Sequence, residues 1–119
     1  MPEVSEAKAV VVRPIRGVQV VKIRGKLVLG SEPLAELRER LGELASHGEY
    51  RWVLDLQEVA MLDSSGVGVL AQLMTTSRNG HGACKLLHLQ KFPMQVLKMV
   101  GLLSLFELYD DMDKAVASF

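Results

Sequence analysis

The sequence predicts an α/β fold: a single domain with a mixed, mainly parallel sheet of about five strands flanked by helices, in the order ββαβαβαβα. Three observations carry this. From residue 31 onward, short β-rich runs alternate with amphipathic stretches, the pattern of right-handed strand–helix–strand crossovers. Two β-branched runs come before that alternation with only turn chemistry between them, so they pair as a hairpin. The chain has 119 residues, enough for one domain and too few for two, and is 49% hydrophobic, enough to bury a core without staples.

Each element has a local reason. "AKAVVVR" (7–13) is short and β-branched, and "PIRG" (14–17) is a turn sequence. "VQVVKIRG" (18–25) is the second strand, with Gln19, Val21 and Ile23 alternating against Val18, Val20 and Lys22. Ser31 can cap the helix that follows, and Pro33 is tolerated in its first turn. Leu34, Leu37, Leu41 and Leu44 recur at helical spacing, and this helix ends near Gly48. "RWVLDL" (51–56) is a strand. Residues 64–80 read as a helix with Val67, Leu70, Ala71 and Met74 on one face and Asn79-Gly80 as its stop. "CKLLHL" (84–89) is a strand, 92–101 a short helix and "LFELY" (105–109) a strand. The last helix spans 110–119 and opens with Asp110, Asp111 and Asp113, where the helix dipole favours negative charge. Val21, Ile23, Leu54, Leu56, Leu87 and Leu89 are the expected core. Residues 1–6 are read as a flexible N-terminus, and the whole of 1–119 as one domain.

Composition excludes several function classes. The 14 basic and 14 acidic residues cancel, so the basic excess of a phosphate-gripping nucleic-acid binder is missing. A single cysteine, Cys84, allows neither a disulfide framework nor a thiolate metal cluster, and it reads as a small core residue. The N-terminal "MPEVSEAKAV" lacks the basic segment and apolar core of a secretory signal. No run of 18 apolar residues occurs, so membrane insertion is not expected and the cytoplasm is the expected compartment.

The segment "MLDSSGVGVL" (61–70) concentrates the candidate chemistry. Gly66-Val67-Gly68-Val69-Leu70-Ala71 matches G-x-G-x-x-A, but Gly66 follows the expected strand end at Leu56 by ten residues, too far for a tight pyrophosphate loop. A nucleophile elbow at Ser65 would need glycine at 63, where Asp63 stands. Of His47, His81 and His88, none is placed as a base; His81 lies about 24 Å from Ser65 along the helix they share, at 1.5 Å per residue. The aspartates 110, 111 and 113 fit no EF-hand. No catalytic residue, cofactor or metal is therefore expected. Asp63, Ser64 and Ser65 are all good capping types, so a capped helix alone would account for them. Three in a row exceed what one cap needs, however, and Gly66 and Gly68 each cost a helix ~1 kcal/mol relative to alanine. Glycine there leaves the first turn bare, open to a partner or a kinase. Met61, just before the serines on a loop, belongs to that candidate surface.

These residues resemble the STAS family, and in particular the bacterial anti-sigma factor antagonists. "VLDLQEVAMLDSSGVGVL" (53–70) is close to that family's apolar strand ending in D-L, short loop and D-S-S-G-[LV]-G. "VVKIRGKL" (20–27), "KLLHL" (85–89) and "VLKMVGLLSLFELYDDMDKAVASF" (96–119) resemble its flanking segments, so the likeness covers nearly the whole chain. One departure stands out: Val28 follows Gly25-Lys26-Leu27 where many antagonists carry an aspartate.

The resemblance implies a switch without catalysis by this chain. Ser65 would be the phosphoacceptor, with Met61, Asp63, Ser64 and Gly66 as partner-binding neighbours. The partner would be a serine kinase that is also an anti-sigma factor, acting in trans. It would be sequestered by the unmodified protein and released by the phosphorylated one, with a phosphoserine phosphatase resetting the state. Two alternatives stay open: a non-catalytic STAS adaptor in a lipid-transport or signalling assembly, and a small enzyme using Ser65, against which the absent base argues.

Overall fold

The computed structural model describes residues 8–119. The expectation of a flexible 1–6 lies outside the described residues. Five strands form one sheet in the order β1-β2-β3-β4-β5: β1 (Val10–Ile15), β2 (Val18–Arg24), β3 (Arg51–Glu58), β4 (Ala83–Leu87) and β5 (Leu108–Tyr109). β1 and β2 are antiparallel and every other pair is parallel. The helices are α1 (Glu32–Ser46), α2 (Ser64–Asn79), α3 (Lys91–Met99) and α4 (Met112–Ala117), with a 3₁₀ turn at Leu103–Leu105. The predicted order ββαβαβαβα and the mainly parallel sheet are both present.

The hairpin is tighter than "PIRG" suggests. Pro14 and Ile15 remain in β1, and the turn is only Arg16 (φ 50°) and Gly17 (φ 81°), a pair of left-handed residues suited to a two-residue hairpin. Pro14 is tolerated because β1 is an edge strand. The Arg24 N–H donates to the Ala9 carbonyl (2.8 Å), so in this register Val10, Val12 and Pro14 turn their backbone polar groups toward the open edge. Glu36 Oε1 takes the Val10 N–H at 3.2 Å, and Pro14 has no N–H to offer. The edge therefore presents little to an added strand.

The sheet is buried on both faces, unequally. Val21, Ile23, Trp52, Leu54, Leu56, Cys84 and Leu86 point to the side covered by α1, α2 and α3. Val18, Val20, Val53 and Leu87 point to the other side, where Ala115 and Val116 of α4 meet them. Five of the six expected core residues are almost fully buried; Leu89 is half-buried because β4 ends at Leu87. Of the predicted face of α2, Val67, Leu70 and Met74 are buried and Ala71 is only half-buried; Val69 and Leu73 are buried as well, because the helix packs against both α1 and β4.

The C-terminal third departs most from expectation. The strand read over 105–109 shrinks to Leu108–Tyr109, because Leu103–Leu105 coil into the 3₁₀ turn. Of the three aspartates, Asp111 is the cap of α4, accepting the Lys114 N–H at 3.1 Å; Asp113 lies in the first turn, and Asp110 precedes the helix. Beneath this segment lies Lys85, only 6% exposed. Its ammonium donates to Ser118 Oγ (2.8 Å) and the Ser118 carbonyl (3.2 Å), pairs with Glu107 (3.3 Å) and sits 4.3 Å from the Phe119 ring centroid. No described helix is long and apolar enough to cross a membrane.

Candidate functional site

β3 delivers the chain to the carboxyl end of the parallel sheet, and the loop 59–63 turns it into α2. Val59 and Leu62 are buried pegs, while Met61 between them is 39% exposed. The loop is pinned from the side by the chain that leaves β2. The Leu27 N–H donates to the Met61 carbonyl (3.1 Å), and the Asp63 N–H donates to the Leu27 carbonyl (3.4 Å). Leu27 and Leu62 thus form a parallel bridge beyond the regular β2–β3 ladder.

Asp63 is the cap of α2, with extended backbone (φ −114°, ψ −172°). Its Oδ1 accepts from the N–H groups of Ser65 (2.9 Å) and Gly66 (3.0 Å). Its Oδ2 accepts from the Leu29 N–H at 2.9 Å, across 34 residues of sequence. These donors hold the Asp63 carboxyl below its ordinary pKa of 3.8, the Leu29 N–H contributing most and the Gly66 N–H next. One carboxylate therefore ties the start of α2 to the turn at Val28–Gly30.

Of the two serines, Ser64 is exposed and Ser65 half-buried. Ser65 borders an open groove of about 410 Å³ between α1 and α2, whose lining includes Leu29, Ser31, Leu34, Arg38, Gly68 and Gln72. The two glycines beside it divide in role. Gly66 is buried, and a Cβ there would fall on the Leu27 carbonyl oxygen with Leu62 Cδ1 2.5 Å away, so glycine lets the first turn sit down on the Leu27 backbone. Gly68 is exposed and has nothing within 4 Å of where its Cβ would be. The bareness expected of both belongs to Gly68, and Gly66 acts by internal close approach.

The loop reading of G-x-G-x-x-A fails on geometry: although β3 runs on to Glu58 rather than Leu56, Gly66 is already inside the helix. None of the three histidines lines the Ser65 groove. Among the described residues, no group of three His, Cys, Asp or Glu could hold a metal ion. Cys84 is buried, and burial pushes its thiol up to about 12, so it is no nucleophile. Met61, Asp63, Ser64, Ser65 and Gly66 lie together because they are consecutive or nearly so. What the sequence did not reveal is the second wall of the site, supplied by Leu29, Ser31 and Arg38. The only local hint was the break in pattern at Val28-Leu29-Gly30; Gly30 adopts φ 76°.

The STAS domain family profile matches residues 9–115. Solved structures agree in fold over nearly the full length. A candidate anti-sigma factor antagonist from Thermotoga maritima is 18% identical, covering 92% of each chain, with a TM-score of 0.83. An anti-sigma factor antagonist from Mycobacterium paratuberculosis is 23% identical, covering 92% of this chain and 91% of its own, with a TM-score of 0.78. The Bacillus cell fate determinant SpoIIAA in its phosphorylated form is 19% identical, covering 92% and 98%, with a TM-score of 0.73. No curated protein matches the chain. With sheet order, helix placement and family profile in agreement from the hairpin to α4, this chain belongs to the STAS domain family, a non-catalytic family, and it resembles the anti-sigma factor antagonists within it.

Proposed function

We propose that this protein is an anti-sigma factor antagonist, a binding module controlled by phosphorylation of Ser65. Unmodified, it sequesters a serine-kinase anti-sigma factor in the cytoplasm. Phosphorylated, it releases that partner, and a phosphoserine phosphatase restores the binding state. The observation that carries this is Ser65 itself: it lies in the first turn of a capped helix, beside an open groove, with exposed Ser64, Met61 and Gly68 around it. A phosphate adds about −1.5 to −2 charges and three acceptor oxygens. A helix N-terminus tolerates that charge through its dipole, although Asp63 already occupies the Ser65 and Gly66 N–H groups, so the fold survives modification. The partner's apposed surface has no such compensation, so the charge acts on binding. That SpoIIAA has been solved in phosphorylated form is consistent with a STAS fold carrying such a group.

The test is incubation with ATP and the kinase-fold protein encoded nearest to this one, followed by intact mass and a binding titration. One phosphate should be gained by the native chain and by Ser64→Ala, and none by Ser65→Ala, which should still bind. Incorporation that persists in Ser65→Ala would reject the assigned hydroxyl. Stable binding with no incorporation would reject the switch in favour of an adaptor.

A further inference from the structure

Leu29 and Met99, each 80% exposed, are the most exposed large apolar side chains among the described residues. Leu29 sits on a pinned turn. The Ser31 N–H donates to the Val28 carbonyl (3.0 Å), the Val28 N–H donates to Ser31 Oγ (3.4 Å), and the Leu29 N–H donates to Asp63 Oδ2 (2.9 Å). A bare leucine on a fixed backbone is preorganised for burial by a partner, because its ordering cost is already met. The group that pins it is also the cap of the helix that carries Ser65. Oδ1 of Asp63 faces Ser65 and Gly66, and Oδ2 faces Leu29.

We propose that the phosphorylation state of Ser65 is relayed through Asp63 to the Val28–Gly30 turn, so that modification also frees Leu29 from the conformation a partner contacts. This rests on the phosphorylation switch proposed above and adds a second element to it. Transfer of the γ-phosphoryl of ATP to Ser65 Oγ forms a P–O ester bond, breaks the β,γ-anhydride bond, leaves ADP and releases the hydroxyl proton. The new dianion lies beside the Asp63 carboxylate, whose Oδ1 already accepts the N–H of Ser65 itself. With more charge and three acceptors, the phosphate competes for the Ser65 and Gly66 N–H groups and repels the carboxylate. Once Asp63 moves, the Leu29 N–H loses its acceptor.

The relay can be read without any kinase, using the full chain with phosphoserine genetically encoded at position 65 and amide exchange followed by NMR. Loss of a hydrogen bond to a charged acceptor should speed exchange at Leu29 by about ten- to a hundredfold, with the Trp52 and Leu86 amides in the sheet unchanged. Asp63→Asn separates cap from relay. Its amide oxygen still caps α2, but its amide nitrogen cannot accept from Leu29. Exchange at Leu29 should then be fast already, and phosphoserine should add nothing. Equal protection of Leu29 with and without phosphate would overturn the relay, as would acceleration of the same size in Asp63→Asn. Leu29→Ala should weaken binding of the unmodified chain to the kinase-fold protein about tenfold or more with no change in Tm; unchanged affinity would remove Leu29 from the contact. A phosphorylated chain that still held the kinase would instead reject the switch itself, whatever Leu29 does.

Discussion

Gly66 and Gly68 are two residues apart in one helix, and alanine should act in opposite directions at them. At Gly66 the added Cβ meets the Leu27 carbonyl oxygen and Leu62 Cδ1, and the first of these is backbone held in the Leu27–Leu62 bridge. Overpacking against such a neighbour belongs at the upper end of the usual range, about 3 kcal/mol. Shifting Leu27 also weakens the long Asp63 N–H bond to its carbonyl (3.4 Å), about 0.5 kcal/mol more. The better helix propensity of alanine returns about 1 kcal/mol. Gly66→Ala should therefore lose about 2–3 kcal/mol, or about 8–12 °C in Tm at about 4 °C per kcal/mol for a domain of this size. Gly68→Ala meets nothing within 4 Å and should gain about 0.5–1 kcal/mol, about 2–4 °C. Urea titration at constant m, paired with thermal melting, measures both. Equal shifts of the same sign would show that the first turn does not rest on Leu27, and the internal role assigned to Gly66 would fall.

Other substitutions probe the remaining parts. Ser65→Asp should change stability by less than about 1 kcal/mol, since the dipole favours the new carboxylate, while affinity for the kinase partner falls about 30-fold to several thousandfold from a buried unpaired charge costing about 2–5 kcal/mol; a large loss of Tm would mean that Ser65 is chiefly structural. The Asp63 carboxyl has a lowered pKa in the folded state, so its stabilisation is complete above the ordinary value of 3.8 and is lost as pH falls through the lower folded value. The stability gap between the native chain and Asp63→Asn should therefore close on acidification below that point, and a gap constant from neutral to acid pH would contradict the assignment. Lys85→Ala removes a cation from Ser118 and Glu107. Glu107 is 62% exposed and stays solvated, so the cost should be about 1–3 kcal/mol rather than that of stranding a buried charge. Amide exchange should rise most over residues 114–118, and a uniform rise across the sheet would argue against a local role.

What the sequence determined by itself was whatever depends on short-range pattern. The heptad-like leucines of α1, the alternation in β2, the Ser31 cap and the order of elements are encoded within a few residues each, where side-chain period and capping chemistry act directly, whereas Asp63, Ser64 and Ser65 were all capping types and the structure selects Asp63. The D-S-S-G segment was legible for the same reason: its residues are neighbours in the chain. Its weakest elements were read less well. β5 has only two residues, and its pairing is decided by β4 beside it rather than by its own composition. Tertiary structure alone decided which glycine is buried, because that depends on where the Leu27 carbonyl lies, 39 residues away in sequence. It also decided that Lys85 is buried, since the acceptors and rings around its ammonium belong to residues 107–119, which reach it only after β5 and α4 have docked. The bond from Leu29 to Asp63 is of the same kind. A backbone donor carries no sequence signature, and only the passage of the chain leaving β2 alongside the loop after β3 brings it to the carboxylate that caps the Ser65 helix.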